Sequence, residues 1–456
     1  MPDSSTLPLT SATATHREFQ VYTERSLERI APLARLDADQ RFAMQVVAAV
    51  LPFRVNQYVI DELIDWERVP DDPMFQLTFP QPGMLHPEAY SRMAALLAGN
   101  PQPGEVRTLA DELRADLNPH PAGQQTLNVP HIDGRALEGM QHKYRETVLF
   151  FPSQGQVCHA YCTFCFRWAQ FVGDKALRFA SAETDQLRQY LAAHPEVTDL
   201  LVTGGDPMVM KTRNLRAYLE TMLDPALEHV RTVRIGTKAL TYWPYRFVTD
   251  PDADDLLRLL ERLVKAGKQV AIMAHINHWR ELEPAIVAEA VRRVRDTGAV
   301  IRAQAPLLAH INDDAAVWAR LWQKEVELGI YPYYMFVERD TGAKRYFEVP
   351  LTDAWRIYQG AMQQVSGLAR TARGPSMSTA PGKVEVQGIT EIGGEKVFAL
   401  RFLQARDPDW VNRPFFARFD PHATWLDDLK PAFGEDEFFF AEGYRRMLAT
   451  DRQRLN

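Results

Sequence analysis

The chain has 456 residues, enough for a large buried core and for two or three domains. Its 52 basic and 59 acidic residues give a net charge of −7, which excludes the strongly basic surface of a nucleic-acid-binding protein. The N-terminus lacks the basic and apolar segments of a signal peptide, and no apolar run is long enough to cross a membrane.

The N-terminal third of the chain is predicted to be mainly helical. Residues 1–15 are rich in Ser, Thr and Pro, and we expect a disordered tail there. Apolar residues recur at helical spacing over 16–65 and again over 86–117. Prolines and glycines without periodicity follow over 118–139, so we assign 16–139 to a helical N-terminal region and linker.

After this linker, six runs with strand character alternate with six amphipathic helical segments. The predicted strands are 147–151, 199–203, 233–236, 269–274, 299–304 and 331–337, and the predicted helices are 181–194, 212–223, 253–266, 283–297, 314–328 and 351–365. Such alternation is typical of parallel strands joined by right-handed crossovers. Six units rather than eight predict an α/β fold over 140–390, a partial (β/α)6 TIM-type barrel, with a doubly wound sheet as the alternative.

All three cysteines lie in the loop after the first predicted strand. Cys158, Cys162 and Cys165 have the spacing C-x3-C-x2-C. Three thiolates can bind three irons of a [4Fe–4S] cube and leave the fourth iron open for a small molecule. A structural zinc site would require a fourth ligand and usually a second cysteine pair, which the sequence lacks. The alternatives are three unrelated buried thiols, or an iron–sulfur module that is not an enzyme.

The cysteine spacing resembles that of the radical S-adenosylmethionine (radical SAM) enzymes, and a second loop strengthens the resemblance. Gly204, Gly205 and Asp206 follow the second predicted strand. Glycines at this place let backbone amides approach a ligand closely, although Gly-Gly-Asp in isolation is equally well explained as a plain turn. Next to a cysteine loop, the three residues match the motif with which radical SAM enzymes bind the methionyl group of SAM.

From about residue 53 to about 388 the chain resembles one branch of these enzymes, the lysine 2,3-aminomutase family. Besides the two loops, the resemblance covers residues 53–58, 142–150, 234–236, 275–278, 311–313 and 331–334. It implies an isomerase that moves an amino group between Cα and Cβ of a free amino acid. The implied cofactors are a [4Fe–4S] cluster, SAM and pyridoxal 5′-phosphate (PLP).

The resemblance also implies partners and a compartment. We expect a flavodoxin- or ferredoxin-type electron donor, a homo-oligomer, and no binding to nucleic acid or membrane. The 3 cysteines provide no disulfide framework and fit a reducing cytoplasm, which an oxygen-sensitive cluster also requires.

Individual residues receive roles by the same resemblance. Phe164, His275 and Gln304 are implied to lie near SAM. Arg167, two residues past the last cysteine, is a candidate catalytic residue that binds the substrate carboxylate, a task suited to its planar fork of donors. His275 with His278 could instead suggest a metal pair, although a satisfied polar pair at a strand end is the stronger alternative.

A lysine is required to bind PLP covalently, and Lys383 is the candidate catalytic residue for this role. Lys143 and Tyr144 match family positions near PLP, although such a pair is also common on plain surfaces. Two departures from the family weaken the expectation of PLP, because only Gly382 remains of the usual glycine run and Thr147 replaces an arginine. The second functional hypothesis is therefore a radical SAM enzyme that does not use PLP.

Two further positions bear on which substrate side chain the pocket accepts. Lysine-specific relatives hold the substrate ammonium with two aspartates, and an ungapped alignment puts Arg339 and Thr379 in their places. A buried lysine ammonium against Arg339 would be repulsive and unpaired, at a cost of several kcal/mol. We therefore predict an acidic or neutral polar amino acid, such as glutamate, rather than lysine. A one-residue slip in the alignment would instead put Asp340 in the pocket.

Residues 391–456 form a C-terminal extension beyond the resemblance. They contain an aromatic stretch at 407–416 and an acidic and aromatic run at 435–440. We interpret the extension as a lid or an oligomer contact, with a tail packed on the open end of the barrel as the alternative. Some relatives carry additional cysteines for a structural zinc, and this chain has none to spare.

Overall fold

The protein is described from a computed structural model that covers residues 16–125, 127–173, 180–181 and 184–455, without the side chains of 451–455. The tail predicted for 1–15 lies outside the described residues. The strands are β1 (Val21–Thr23), β2 (Arg54–Asn56), β3 (His131–Ile132), β4 (Arg135–Ala136), β5 (Met140–Tyr144), β6 (Thr147–Phe150), β7 (Asp199–Val202), β8 (Thr232–Thr237), β9 (Gln269–His275), β10 (Val300–Leu307), β11 (Tyr331–Val337), β12 (Arg373–Ser378), β13 (Gly382–Ile392), β14 (Glu395–Ala405) and β15 (Pro414–Arg418).

The helices are α1 (Ala38–Val50), α2 (Pro73–Thr78), α3 (Pro87–Ala98), α4 (Pro103–Ala115), α5 (Thr184–Ala193), α6 (Thr212–Glu220), α7 (Ala239–Tyr242), α8 (Ala253–Lys265), α9 (Ala285–Asp296), α10 (Ala315–Glu327), α11 (Lys344–Phe347), α12 (Leu351–Gln363) and α13 (Ala441–Leu455). The six predicted strands correspond to β6 through β11, and the six predicted helices to α5, α6, α8, α9, α10 and α12. Within the described residues, no helix is long and apolar enough to span a membrane.

A single sheet of 11 strands organises the molecule, in the order β15-β14-β13-β12-β11-β10-β9-β8-β7-β6-β5. Strands β6 through β12 run parallel, while β5 at one edge and β13 to β15 at the other run antiparallel. The α/β prediction is confirmed. The sheet is wider than predicted, because β12 adds a seventh parallel strand and four antiparallel strands flank the parallel set.

Alternation along the strands separates a helix-facing side from an inner side. In β8, Val233 and Ile235 are fully buried in the main apolar core, whereas Thr232 and Arg234 line an inner cavity. Successive side chains on a strand point to opposite faces, so one strand can serve both surfaces. The inner side of the sheet therefore carries polar groups while its outer side packs on helices.

The N-terminal region packs a second apolar core against the cysteine loop. Helix α1 begins where the Asp37 side chain accepts a hydrogen bond of 2.7 Å from the amide of Gln40, which satisfies a free backbone donor. The core includes Phe164 and Trp168 from the cysteine loop. The predicted helices over 86–117 are present as α3 and α4. Residues 16–65 are not uniformly helical, because β1 and β2 pair as a small antiparallel ribbon.

The C-terminal extension continues the central sheet. Residue 390 lies inside β13, which pairs with β14 from Gly382↔Ala405 to Ile392↔Glu395. The hairpin turns at Gly393 and Gly394, both with positive φ, and such a Gly-Gly turn fits the twist of two antiparallel strands. The boundary placed between 390 and 391 therefore cuts a hairpin. The aromatic residues of the extension pack a third core with β13 and β14.

Candidate active site

The three cysteines line one cavity of about 210 Å³ on the loop after β6. The amide of Cys165 donates to the carbonyl of Cys162 at 3.1 Å, which folds the loop into a tight turn. Burial raises the pKa of the Cys162 thiol to about 11 and that of Cys165 to about 12, and it also raises the pKa of Cys158 well above its ordinary value. Thiols in such a place bind as thiolates when a cation compensates their charge.

The thiols fit a multinuclear cluster better than a single ion. No group of three His, Cys, Asp or Glu side chains in the described ranges is close enough to bind one metal ion. A [4Fe–4S] cube does not require such closeness, because each thiolate binds a different iron. The three cysteines line the same cavity, as the ligands of one cluster must.

The glycine motif holds a second loop against the cysteine loop. A Cβ on Gly205 would lie 2.6 Å from the amide nitrogen of Val157, so only glycine permits this backbone approach. The amide of Asp206 donates to the Val157 carbonyl at 3.0 Å. Its carboxylate accepts hydrogen bonds from the Thr237 hydroxyl at 2.7 Å and the Lys238 amide at 2.9 Å. The Asp206 side chain thus ties the loop after β7 to the end of β8, and burial raises its pKa to about 6.

A buried network beside the cysteines was not predicted from the sequence. The Lys238 ammonium donates to the Glu281 carboxylate at 2.6 Å and lies 4.4 Å from the ring centroid of Tyr242. The Tyr242 hydroxyl in turn contacts the Cys162 sulfur at 3.7 Å. The available signal was position, because Lys238 directly follows β8 at the edge of the sheet where the cysteine loop lies.

A larger cavity of about 440 Å³ adjoins the cysteine cavity. The two cavities share five lining residues, which are Phe164, Phe166, Leu201, His275 and Gln304. The larger cavity, called the lysine cavity below, is also lined by Asp199, Thr232, Arg234, Pro306, Tyr333, Tyr334, Phe336, Val337, Glu338, Arg339, Ser378, Lys383 and Gln404. Groups bound in the two cavities would therefore be close neighbours.

Lys383 projects from β13 into the lysine cavity. Its ammonium nitrogen lies 4.1 Å from the ring centroid of Tyr334 and 5.1 Å from that of Phe336. It has no ion pair with a carboxylate in the part of the chain that the structure describes. Burial, followed by the charges of Arg234 and Arg373, lowers the pKa of Lys383 to about 7. A large fraction of this amine is therefore unprotonated near neutral pH, as a nucleophilic lysine requires.

The buried Arg167 and the half-buried Arg339 flank the Phe166 ring at the junction of the cavities. The Arg167 guanidinium lies 4.0 Å from the Phe151 ring centroid and 5.1 Å from that of Phe166, and Arg339 lies 5.1 Å from Phe166. Among the described residues, no group forms a hydrogen bond with the buried atoms Arg167 Nη1 and Arg339 Nε. Burial lowers the pKa of Arg167 to about 9 and also lowers the pKa of Arg339. Two carboxylates from a ligand would satisfy these donors.

Asp340 lies on the other side of this chain segment. Arg339 lines the lysine cavity, whereas Asp340 lines a separate surface groove with Asn118 and Arg345. Its carboxylate approaches Arg339 Nε only at 4.0 Å. The structure thus places Arg339, and not Asp340, in the cavity.

Three of the predicted residues are not among those that line either cavity. The Thr379 hydroxyl donates to the Gly382 carbonyl at 2.8 Å, which closes the turn before Lys383. The Lys143 ammonium donates to the Thr379 carbonyl, and burial lowers its pKa well below the ordinary value. Tyr144 is half-buried, with its ring centroid 5.4 Å from the Lys143 ammonium nitrogen, and its pKa is raised by burial. These residues lie outside the lysine cavity and stabilise the segment that carries Lys383.

The two histidines do not form a metal pair. His275 lines both cavities, lies edge-on to the Phe164 ring at 5.5 Å, and has a buried Nε2 without a hydrogen-bond partner. His278 Nδ1 instead accepts a hydrogen bond of 3.2 Å from the Arg280 amide and begins a helical turn. His275 is therefore available to a ligand, while His278 has a structural role.

Comparisons with known proteins show what the chain as a whole is similar to. No protein-family model matches the chain. The "Putative L-lysine 2,3-aminomutase" of Aquifex aeolicus (strain VF5) is 30% identical over 406 residues, which cover 88% of this chain and 94% of that protein. The L-lysine 2,3-aminomutase of Escherichia coli (strain K12) is 29% identical over 233 residues, which cover 50% of this chain and 63% of that protein.

Among solved structures, a radical SAM methyltransferase from Sphaerobacter thermophilus aligns with 52% of this chain and 68% of its own at 15% identity, with a TM-score of 0.37. This likeness is too slight to identify a family. The Aquifex relative, in contrast, matches along nearly its whole length. The chain therefore belongs to the lysine 2,3-aminomutase family of the radical SAM superfamily, a membership that implies a [4Fe–4S] cluster and SAM.

Proposed function

We propose that the protein is a PLP-dependent radical SAM aminomutase that moves the α-amino group of a free acidic amino acid to Cβ. The observation that carries the proposal is the place of Lys383. Its amine is buried, lacks a carboxylate counterion in the described residues, and faces a cavity continuous with that of the cysteines. A lysine amine held this way meets the chemical requirement for covalent binding of an aldehyde cofactor.

The residues of the two cavities have different proposed roles. Cys158, Cys162 and Cys165 would hold the cluster, while Gly204 and Gly205 provide the open backbone for SAM. When bound, these groups supply hydrogen abstraction from substrate Cβ, and PLP supplies a carrier for the migrating nitrogen. The chain itself binds the substrate, orients its carbon atoms and excludes water through the aromatic walls.

The charges of the lysine cavity favour a substrate with two carboxylates. Arg167 would bind the α-carboxylate and Arg339 the side-chain carboxylate, since each offers a buried donor without a partner. Two carboxyl groups of the described residues line the cavity. Asp199 is already paired with Arg234, which leaves it little capacity for a substrate ammonium, and burial raises the pKa of Glu338 well above its ordinary value, which favours its neutral form. Lysine would bring its terminal ammonium against Arg339, whereas glutamate would neutralise it.

A radical SAM enzyme without PLP is the second candidate, and two observations favour it. Thr147, at the place of a family arginine, donates its hydroxyl to Asp199 at 3.1 Å and offers no cation to a phosphate. Lys143 is bound to the Thr379 carbonyl instead of facing the cavity. A substrate that fills the lysine cavity by itself would then take the place of PLP.

Absorbance spectroscopy decides between the two candidates. We expect purified protein incubated with PLP to show a band at roughly 420 nm that borohydride removes, as for PLP bound to a lysine amine. The Lys383→Ala variant should lack the band, while Lys430→Ala, an exposed lysine remote from the cavity, should keep it. Wild-type protein without the band, but with SAM cleavage in the presence of a reductant, would establish the second candidate.

Substrate assays under reducing conditions with SAM and PLP test the side-chain preference. We expect formation of β-glutamate from L-glutamate at a higher kcat/KM than formation of β-lysine from L-lysine. Deuterium placed at the substrate Cβ should appear in recovered SAM if the radical is used reversibly. Efficient β-lysine formation without turnover of glutamate would show that Arg339 does not read the side chain.

A further inference from the structure

A groove of about 620 Å³ lies on the outer side of the cysteine loop. Its lining includes Cys158 and His159 on one wall and Lys211, Arg213 and Trp243, from the segments after β7 and β8, on the other. Cys158 lines both this groove and the internal cysteine cavity. We name this depression the Cys158 groove. The cysteine loop is therefore the partition between the cavity and the exterior.

This partition matters for electron supply. An electron that reaches the cluster from outside must cross protein, and transfer slows steeply as the distance grows. At the Cys158 groove, the intervening matter is the loop that carries the ligand cysteines themselves. A redox partner seated in the groove would thus be separated from the cluster by a single layer of chain.

Three basic side chains of the groove have no ion pair among the described residues, so their charges can attract a partner. Arg54, Lys211 and Arg213 line it, and the described residues provide no carboxylate ion pair for any of the three. Lys211 and Arg213 are exposed. The chain as a whole carries a net charge of −7, so this cluster of unpaired cations departs locally from the overall negative charge. Such a cluster predicts an acidic partner.

The carboxylates of the groove do not cancel these charges, because each already has a partner. Asp252 pairs with Arg246 at 2.9 Å, and Asp255 pairs with Arg216 at 2.8 Å. Asp250 accepts a hydrogen bond of 3.1 Å from the indole nitrogen of Trp243, and burial raises its pKa.

An exposed aromatic ring stands among the cations. Phe19 is 39% exposed and packs edge-on against Trp243 at 4.8 Å and against His159 at 5.7 Å. Interfaces of transient redox complexes are small and combine a few apolar contacts with complementary charge. The Cys158 groove offers this combination directly beside a ligand cysteine.

We propose that the Cys158 groove is the docking site of a small acidic protein that carries a low-potential one-electron group, such as a reduced flavodoxin. The donor loses one electron and the cluster gains one, with no atom transferred between them. The proposal rests on the proposed function, since it needs a cluster that must be reduced from outside.

Direct binding tests the docking site. The probe is a purified flavodoxin of net negative charge, titrated into anaerobically reconstituted full-length protein at low and at physiological salt. We expect the Lys211→Glu, Arg213→Glu double variant to raise Kd by about tenfold or more and to flatten its salt dependence, because attractive charges become repulsive. Both side chains are exposed, so the fold should tolerate the changes.

A matched variant controls for net charge. Lys324→Glu with Lys430→Glu makes the same change in total charge at residues that do not line the groove and have no ion pair in the described part of the chain. This variant should bind flavodoxin as the wild type does. If both double variants bind flavodoxin equally weakly, net charge alone explains the effect, and the docking site is overturned. A change of oligomeric state in the groove variant alone would assign the groove to a second copy of the chain and also overturn it.

A chemical reductant separates this proposal from the proposed function. Dithionite needs no docking surface, so SAM cleavage driven by dithionite should be equal in wild type and in the groove variant, while cleavage driven by flavodoxin should fall in the variant. Absence of dithionite-driven cleavage in the reconstituted wild type would contradict the function and leave the binding measurement valid. Normal cleavage by dithionite, with unchanged flavodoxin affinity in the groove variant, would reject the docking site alone.

Discussion

The cysteine cavity and the lysine cavity are contiguous, yet they are built in different ways. The first takes its thiols from one loop and its glycines from the next, and backbone hydrogen bonds such as that from Asp206 to Val157 join the two. The second takes its lining from residues between Phe164 and Gln404, contributed by several strands and the loops after them. The thiols and glycines of the first cavity are encoded in two short stretches, whereas the lining of the second comes together only after the sheet has formed.

The two cavities also differ in the charges of the groups that line them. The cysteine cavity offers groups that bind as anions, held beside the buried pair of Lys238 and Glu281. Arg339 and Lys383 line the lysine cavity and Arg167 lies at its junction with the cysteine cavity, and burial lowers the pKa of all three. The first region is thus suited to a cationic cluster, and the second to anionic ligands such as a phosphate or a dicarboxylate.

Loss of one ligand cysteine should have the largest effect. We expect anaerobically reconstituted wild type to contain about four irons per chain and Cys162→Ala to contain almost none, with no SAM cleavage. The control is Thr163→Ala, a neighbouring residue whose hydroxyl bonds to the Gln76 carbonyl and not to the cavity. Iron analysis and electron paramagnetic resonance measure the outcome. Stoichiometric zinc in place of iron would contradict the assignment of the cysteine cavity.

Arg339→Gln should affect only the lysine cavity. Removal of a charged donor to a buried carboxylate is expected to lower kcat/KM for glutamate by about 10- to 100-fold, since such hydrogen bonds contribute about 1.5–3 kcal/mol. Iron content and uncoupled SAM cleavage should not change. The exposed Arg345, which lines the groove of Asp340, provides the control Arg345→Gln. An equal loss for glutamate and for a neutral amino acid would show that Arg339 does not bind the side chain.

Gly205→Ala should loosen the contact between the two loops. The added Cβ would lie 2.6 Å from the Val157 amide nitrogen, and relief requires movement of backbone in the cysteine loop. We expect a loss of about 1–3 kcal/mol in unfolding free energy together with weaker retention of iron. The control is Gly104→Ala in the first turn of α4, where no atom of the described residues lies within 4 Å of the added Cβ, so its stability and iron content should match the wild type. A stable Gly205→Ala protein with full iron would disprove the proposed tight contact.

The pH dependence of PLP binding should be the smallest effect. Burial lowers the pKa of Lys383 from 10.5 to about 7, so its amine is protonated below that pH and reactive above it. We expect the rate of PLP capture to rise by about tenfold from pH 6 to pH 8 and then to level off. A rate that still rises through pH 10, after subtraction of the Lys383→Ala background, would indicate an exposed lysine.

The same pKa shift has a consequence for stability. Between pH 7 and 10.5 the unfolded chain binds a proton at Lys383 that the folded chain has lost, so this residue makes the folded state more stable as pH rises through that window. Below pH 7 both states are protonated, and the cost of burying the charge is fully present. Urea unfolding of wild type and Lys383→Met at pH 7 and pH 9 would measure the difference.

Much of the parallel sheet could be predicted because its signals are local. Apolar runs such as 331–337 and the helical periodicity between them are properties of short windows, and they correspond closely to β6 through β11 and their helices. β12 was missed because its Gly374 and Pro375 are poor strand formers, and it is pairing with β11 and β13 that makes this segment a strand. The continuation of the sheet past residue 390 was missed for a similar reason, since β13 and β14 depend on each other.

The sequence by itself determined the cysteine cavity, because three thiols at fixed spacing and two glycines after a strand require no distant partner to be recognised. The tertiary structure alone decided the lysine cavity. Arg339 lies in the lysine cavity and Asp340 lies outside it. Thr379 and Lys143 form hydrogen bonds within and to the segment that carries Lys383, and Lys238 lies beside the cysteine loop. The physical reason is that side-chain direction reverses with each residue of an extended chain, while burial and charge depend on strands far away in sequence.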